Sequence, residues 1–210
     1  MFKIINLFAG LDKNAKRNQL AYVFMLVGAS IALLASIVLS IEALELARNK
    51  DAVLPCSINA VLNCATVASS SAASVIGGIP NSFFGMVTLP VMVTIAVAGL
   101  AGVKFPKWFM RAASAGVALG VVFAGWMIYV SVFVLQTLCP WCLTLDVGML
   151  LLVFGFWRYG LAHNLLGVSK PSLRKMISFS EKGFDTLALV LVFVLATAAI
   201  IIRFGDALFL

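Results

Sequence analysis

The chain has 210 residues, of which 63% are hydrophobic and 11% are charged, and its formal net charge is +7. About a quarter of the residues of a soluble globular domain are charged, so this composition excludes a soluble domain and predicts one helical bundle in lipid. The positive charge does not indicate a nucleic-acid binder, because the basic and aromatic residues form no joint patch. We expect no nucleic-acid partner.

Several segments are apolar over the length of about twenty residues that a helix needs to cross a bilayer. Helices are the economical structure there, because the backbone must satisfy its own hydrogen bonds in lipid. The sequence therefore predicts an all-α integral membrane protein with a four-helix transmembrane bundle and a fifth transmembrane helix. The predicted spans are Leu20–Ile41, Ser82–Val103, Ala112–Leu138, Trp141–Trp157 and Phe184–Ile202.

The basic residues are unevenly distributed between the predicted loops. Only Arg48, Lys50 and Arg203 fall on one side of the membrane. The positive-inside rule therefore places the N-terminus in the cytoplasm and the C-terminus outside, in a cell inner (plasma) membrane. The residues on the predicted cytoplasmic side are Lys3, Lys13, Lys16, Arg17, Lys104, Lys107, Arg111, Arg158, Lys170, Arg174, Lys175 and Lys182.

This topology divides the chain into four parts. Residues 1–19 form a cytoplasmic N-terminal segment, and 20–160 form a catalytic four-helix membrane core with an external loop at 42–81. Residues 161–183 form a basic cytoplasmic loop, and 184–210 form the fifth transmembrane helix with a short external tail. The first span is too long for the apolar region of a cleaved signal peptide. All four cysteines then lie on the extracytoplasmic side, where disulfides persist.

The motif Cys139-Pro-Trp-Cys142 predicts a redox-active pair. Two cysteines three residues apart lie on one helical turn, at a Cα spacing that suits a disulfide. Pro140 is suited to the first turn of a helix, where its missing N–H is not needed. Cys142 would then lie near a helix N-terminus, where the helix dipole lowers the pKa of a thiol.

The cysteines have two other possible roles, as metal ligands or as a static disulfide. A zinc site would also need Cys56 and Cys64, whose spacing of eight is longer than structural zinc sites prefer. The single histidine, His163, is predicted on the cytoplasmic side, so we expect no metal. A purely structural disulfide is a poor explanation of the CxxC pair, because so short a loop constrains the unfolded chain little. For Cys56 and Cys64 alone it stays a fair alternative.

Two cysteine pairs on one membrane face suggest a relay, because thiol–disulfide exchange passes electrons from one dithiol to the next. A lipid-soluble quinone would be a suitable final acceptor for a CxxC that begins a transmembrane helix. Asp146 lies four residues after Cys142, on the same helical face. An ionisable residue within a span is a functional candidate by default. Proton transfer, a polar bundle interior and simple solvation remain alternatives for Asp146.

At these residues the sequence resembles the vitamin K epoxide reductase family, in its prokaryotic branch. Four blocks agree in order and spacing, over a core from about Leu20 to Tyr159. They are Cys56-Ser-Ile-Asn-Ala-Val-Leu-Asn-Cys64, then Ser70, then Gly78-Ile-Pro-Asn-Ser-Phe-Phe-Gly85, then Cys139-Pro-Trp-Cys142.

The resemblance implies a role for each cysteine. Cys56 would meet an external partner, and Cys64 would exchange with Cys139. Cys142 would face the quinone. Net electron flow would run from a thioredoxin-like (DsbA-type) protein to a ubiquinone or menaquinone, supporting disulfide bond formation in exported proteins.

The resemblance also implies a quinone site. Asn81 matches the asparagine that hydrogen-bonds the quinone oxygen, and Ser70 matches a serine of the loop and pocket. The simpler alternatives are a helix cap for Asn81 and a solvated turn for Ser70. Asp146 stands where vertebrate members carry tyrosine, which favours an ordinary quinone over vitamin K epoxide. Only Arg203–Leu210 follows the last predicted span, so we expect the thioredoxin-like partner in trans.

Two competing functions make different predictions. A conduit that feeds reductant outward would need redox groups on the cytoplasmic side, and no cysteine is predicted there. A non-catalytic membrane scaffold with structural disulfides would tolerate Cys142→Ala, whereas the enzyme would lose its activity.

Overall fold

The computed structural model describes residues 13–208, with side chains from 15 to 205. It confirms an all-α membrane protein, because five of the described helices are long and apolar enough to span a bilayer. The described residues contain isolated β-bridges but no strand. The helices are α1 Lys13–Arg48, α2 Cys64–Ala68, α3 Asn81–Leu100, α4 Lys107–Tyr129, α5 Pro140–His163, α6 Lys170–Glu181 and α7 Phe184–Leu208.

Helix α1 is longer at both ends than the predicted span Leu20–Ile41. It continues through Glu42 to Arg48 because the intervening sequence Glu-Ala-Leu-Glu-Leu-Ala consists of strong helix formers. The external loop predicted to begin at residue 42 therefore begins after Arg48. As a result, Glu42 is a helical residue and not a loop residue.

Helix α4 passes directly into a π-helical segment, Val130–Leu135. That segment ends at Gln136, whose φ of 54° is left-handed. Apolar periodicity does not separate a π-turn from an α-helix, so the sequence predicted one uninterrupted span to Leu138. π-turns within helices are frequent at functional sites, and this one precedes the CxxC motif.

Helix α1 is the central element and packs closely against α5. A Cβ atom placed on Gly28 would lie 2.6 Å from the backbone oxygen of Gly148, and one on Gly155 would lie 2.7 Å from the backbone oxygen of Ala21. Small residues let helix backbones approach this closely in membranes. On another side, α1 meets α3, where Ser36 Oγ donates a hydrogen bond of 2.6 Å to the backbone oxygen of Ser82. Helix α1 therefore positions both α3 and α5.

The basic end of the bundle contains the start of α1, the α3–α4 connection and α6. Arg111 Nε donates to the backbone oxygen of Leu165 at 2.7 Å, and Arg17 Nη1 pairs with Glu181 Oε1 at 3.5 Å. Helix α6 lies in the stretch predicted as a plain loop, and its outward face is charged and exposed. The basic residues predicted to share one side are thus at one end. Lys3 lies outside the described residues.

Candidate functional site

All four cysteines lie in one buried cluster at the opposite end, here called the cysteine end. Cys56 is 6% exposed, Cys64 1% and Cys139 2%, and the half-buried Cys142 packs against them. Leu54 and Val67 of the connecting segments complete the cluster. The structure therefore brings together the two pairs that the sequence predicted to form a relay.

A short bridge joins the loop between α1 and α3 to the segment before the CxxC motif. Leu138 N donates to the backbone oxygen of Val61 at 2.7 Å, and Asn63 N donates to the backbone oxygen of Leu138 at 3.0 Å. Cys64 and Cys139 directly follow Asn63 and Leu138 in the chain. These hydrogen bonds therefore fix the two cysteines that are expected to exchange as neighbours.

The loop pair is a disulfide, with a Cα–Cα distance of 5.7 Å between Cys56 and Cys64. Cys64 is the first residue of α2, and Asn63 caps that helix by accepting the N–H of Thr66 at 3.1 Å. Ser57 Oγ donates to the same Asn63 oxygen at 3.0 Å. Asn63 therefore links the start of α2 to the turn next to Cys56.

Cys139 and Cys142 are thiols, and Cys139 is the N-cap of α5. Its Sγ accepts the backbone N–H of Cys142 at 3.2 Å, while Pro140 occupies the first helical position as predicted. The hydrogen bond from the Cys142 thiol, together with this N–H, lowers the pKa of Cys139, although burial opposes the shift. Cys142 is the third residue of α5 and so lies near the helix N-terminus as predicted, while the sulfur that caps the helix belongs to Cys139.

A small cavity lies between the π-helical segment and α5, beside both CxxC sulfurs. It measures about 10 Å³, the space of roughly one water molecule. Its lining is apolar except for the two thiols, Ser131 and Asp146. Asp146 is only 9% exposed, so it is not solvated at the surface. It forms no hydrogen bond or ion pair with any residue that the structure describes.

Asn81 is the first residue of α3 and Ser70 lies in the loop, and neither residue lines this cavity. The Asn81 amide donates to the backbone oxygen of Ala72 at 2.6 Å, and its side-chain oxygen accepts Val75 N at 3.2 Å. Pro80 is the cap of α3, so the alternative of Asn81 as that cap was wrong. Ser70 Oγ donates to the backbone oxygen of Val67 at 2.7 Å. Quinone contacts by either residue stay predictions.

Glu42 belongs to the site, but sequence reasoning did not select it. It is 5% exposed, and its Oε1 lies 3.0 Å from Cys56 Sγ. Its Oε2 is buried without a hydrogen-bond partner among the described residues. The sequence signal that could have identified Glu42 is its position, because it ends an apolar run but is followed by strong helix formers.

The geometry can be compared with known families. A model described as "Vitamin K epoxide reductase family" matches residues 23–157, well over half of the chain. The chain belongs to the vitamin K epoxide reductase family. The match covers both cysteine pairs and ends within α5, so α6 and α7 lie outside the part that it covers. A search of curated proteins found no match.

Membership of the vitamin K epoxide reductase family makes this protein a multi-pass membrane thiol–disulfide oxidoreductase. The cysteine cluster is consistent with that chemistry, because it places one disulfide beside two thiols, one of which is held as a helix cap.

Proposed function

We propose that the protein, as a prokaryotic-type member of its family, oxidises a thioredoxin-like protein in trans and passes the electrons to a quinone. One observation carries this proposal: the Cys56–Cys64 disulfide and the Cys139–Cys142 dithiol share one buried cluster, joined by the bridge at Leu62 and Leu138. A purely structural pair would not need a second pair of thiols against it.

The relay begins at the loop disulfide. A partner thiolate attacks Cys56, which forms a mixed disulfide and releases Cys64. The partner's second thiolate then attacks the partner sulfur of that mixed disulfide, which closes the partner's own disulfide and releases Cys56. In the reduced loop pair, Cys64 attacks the Cys139–Cys142 disulfide at Cys139 and frees Cys142. Cys56 then attacks Cys64 and frees Cys139. The structure corresponds to the resulting state, with the loop pair oxidised and the CxxC pair reduced.

The residues around Cys142 fit a quinone by their chemistry. A bound quinone would supply an acceptor for two electrons and two protons. The lining offers an apolar surface, the Ser131 hydroxyl and the Asp146 carboxyl. Because the cavity is small in the CxxC-reduced state, the side chains that line it must separate to admit a ring. From the resemblance we also propose that Asn81, whose second amide hydrogen makes no bond to a described residue, and Ser70 contribute contacts.

The distribution of charge supports the proposed orientation. The basic end carries the Lys and Arg residues expected on the cytoplasmic side of an inner membrane, and the cysteine end is then extracytoplasmic. Protein substrates that need disulfides fold in that compartment, which is where a thioredoxin-like partner would meet Cys56.

Quinone reduction by purified protein tests this function. The full chain in detergent is supplied with a reduced DsbA-type protein and a short-chain ubiquinone or menaquinone, and quinol formation is followed spectroscopically. We expect steady turnover that Cys142→Ala abolishes, whereas Thr197→Ala on the exposed face of α7 leaves it unchanged. Equal behaviour of Cys142→Ala and the unmodified protein would instead support a scaffold with structural disulfides.

A further inference from the structure

Glu42 is placed against the reactive bond of the loop pair. Its Oε1 lies 3.0 Å from Cys56 Sγ, and the reactive atoms of Glu42, Cys56 and Cys64 all lie within 4.8 Å of one another. Both sulfurs and the carboxyl are buried. Solvent therefore has little access to the sulfur that must gain or lose a proton whenever this disulfide opens or closes.

The contact between Glu42 Oε1 and Cys56 Sγ indicates which of the two groups carries a proton. A disulfide sulfur has no hydrogen to donate, so only a protonated carboxyl can form a hydrogen bond across this distance, with its O–H donated to Cys56 Sγ. The second oxygen, Oε2, has no partner in the described part of the chain. No ion pair there involves Glu42 either. A buried carboxyl oxygen without a partner is costly, and such groups occur where chemistry uses them.

We propose that Glu42 is the acid–base catalyst of the Cys56–Cys64 disulfide, exchanging one proton with Cys56 Sγ. The proposal assigns a proton pathway to the loop pair and rests on the proposed relay. It adds a residue of α1 to a mechanism otherwise built from the loop and α5.

The proton balances in both directions. When Cys56 leaves a mixed disulfide with the partner, the electron pair of the broken S–S bond stays on Cys56, and Glu42 donates its proton there and becomes a carboxylate. When Cys56 later attacks Cys64 in the Cys64–Cys139 disulfide, the Glu42 carboxylate removes the proton from the Cys56 thiol. The Cys56–Cys64 bond forms, the Cys64–Cys139 bond breaks, and the electron pair leaves on Cys139. Glu42 is then protonated again and can donate its O–H to Cys56 Sγ across the 3.0 Å contact.

Other titratable groups face this carboxyl. Glu45 lies on α1 one turn further along and is exposed. The thiols of Cys139 and Cys142 approach from the start of α5 and interact electrostatically with Glu42. Glu45 therefore provides a matched control on the same helix.

The test measures how fast dithiothreitol reduces the Cys56–Cys64 bond in the full chain in detergent. Free Cys56 is counted by alkylation with a mass-tagged maleimide, from pH 5 to pH 9, in the unmodified protein, Glu42→Gln and Glu45→Gln. The reductant's own ionisation cancels in the ratio of the unmodified rate to the variant rate. Thermal unfolding of each variant checks that it is folded. The assay needs neither quinone nor partner, so it can fail independently of the proposed function.

We expect Glu42→Gln to be slower than the unmodified protein at low pH by on the order of 10²-fold, as for loss of a general acid. The ratio should fall towards one as pH rises and the Glu42 carboxyl loses its proton. Glu45→Gln should match the unmodified protein at low pH, where the Glu42 carboxyl is protonated in both. Equal rates for Glu42→Gln and the unmodified protein would overturn the proposal. A slower rate with a pH-independent ratio would also overturn it, because that result describes a structural role.

Discussion

Two buried acids lie near opposite ends of α5, and their surroundings differ completely. Asp185 of α7 is 6% exposed and accepts hydrogen bonds from Arg158 Nε at 2.9 Å, Arg158 Nη2 at 3.1 Å and Ser180 Oγ at 2.6 Å. The backbone N–H of Thr186 adds a fourth at 2.8 Å. Asp146, beside the CxxC thiols, is 9% exposed and accepts no hydrogen bond from the described residues.

The difference distinguishes an acid that holds the fold from one that is available for reaction. A buried carboxylate with several donors is compensated for the water that it has lost. Its role is to attach α7, which is otherwise largely exposed, to the end of α5. An uncompensated acid costs stability and is retained where ionisation is useful. Glu42, which also lacks a positive partner among the described residues, belongs to the same class as Asp146.

The largest expected effect is at Asp146. Asp146→Asn keeps the side-chain shape but removes the carboxyl that lines the cavity beside Cys142, and reduction of a quinone consumes protons. We expect the turnover number for quinone reduction to fall on the order of 10²-fold, the usual scale for loss of an acid–base group, with a thermal stability no lower than that of the unmodified protein. Turnover within twofold of the unmodified protein would remove the distinction between the two acids.

Asp185 should show the opposite pattern. Asp185→Asn leaves Arg158, the half-buried guanidinium partner on α5, without its counter-charge, and loss of such a hydrogen-bonded charge costs about 1–3 kcal/mol. We expect lower stability in a denaturant titration in mild detergent but unchanged turnover per folded molecule. Loss of turnover without loss of stability would show that this acid, too, takes part in the reaction.

A smaller effect is expected at Cys139, whose sulfur accepts hydrogen bonds as the Asp185 carboxylate does. The hydrogen bond from the Cys142 thiol is the largest cause that lowers the pKa of Cys139. In a Cys56→Ser, Cys64→Ser background kept reduced with a phosphine, thiolate absorbance near 240 nm should show Cys139 ionising below an ordinary thiol. Adding Cys142→Ala should shift that ionisation to higher pH.

The sign of the linked stability follows from the lowered pKa. The Cys139 thiolate stabilises the folded chain fully above the unfolded thiol's pKa, and this contribution is lost as pH falls through the folded pKa. If the midpoint of the absorbance titration were the same with and without Cys142→Ala, Cys142 would not stabilise the Cys139 thiolate.

The fold could be predicted from the sequence, because lipid allows few backbone structures and sets a minimum length for each spanning helix. The segments Phe184–Ile202 and Ser82–Val103 were therefore located to within a few residues. The start of α1 and its end at Arg48 were not, because a hydropathy window stops at a charge, whether or not the helix continues. The burial of Glu42 depends on the returning loop that carries Cys56, which no local pattern shows.

The site was predictable to the level of the cysteine pairing but not of individual roles. The order and spacing of the four cysteines indicated two pairs on one face. That the Cys139 sulfur accepts the N–H of Cys142 depends on the backbone geometry where α5 begins, which the motif alone does not settle. Likewise, Asn81 faces the turn at Ala72 because of how the loop folds back.

The central claim is that electrons pass directly between Cys64 and Cys139. The most direct measurement is disulfide mapping of Cys142→Ala by mass spectrometry, after digestion under non-reducing conditions with free thiols blocked. The account predicts a peptide pair that joins Cys64 to Cys139, because the Cys139 thiolate can attack Cys64 of the loop disulfide and release Cys56, and no Cys142 thiol is present to reopen the new bond. Recovery of the Cys56–Cys64 bond alone, with Cys139 always alkylated, would contradict the relay.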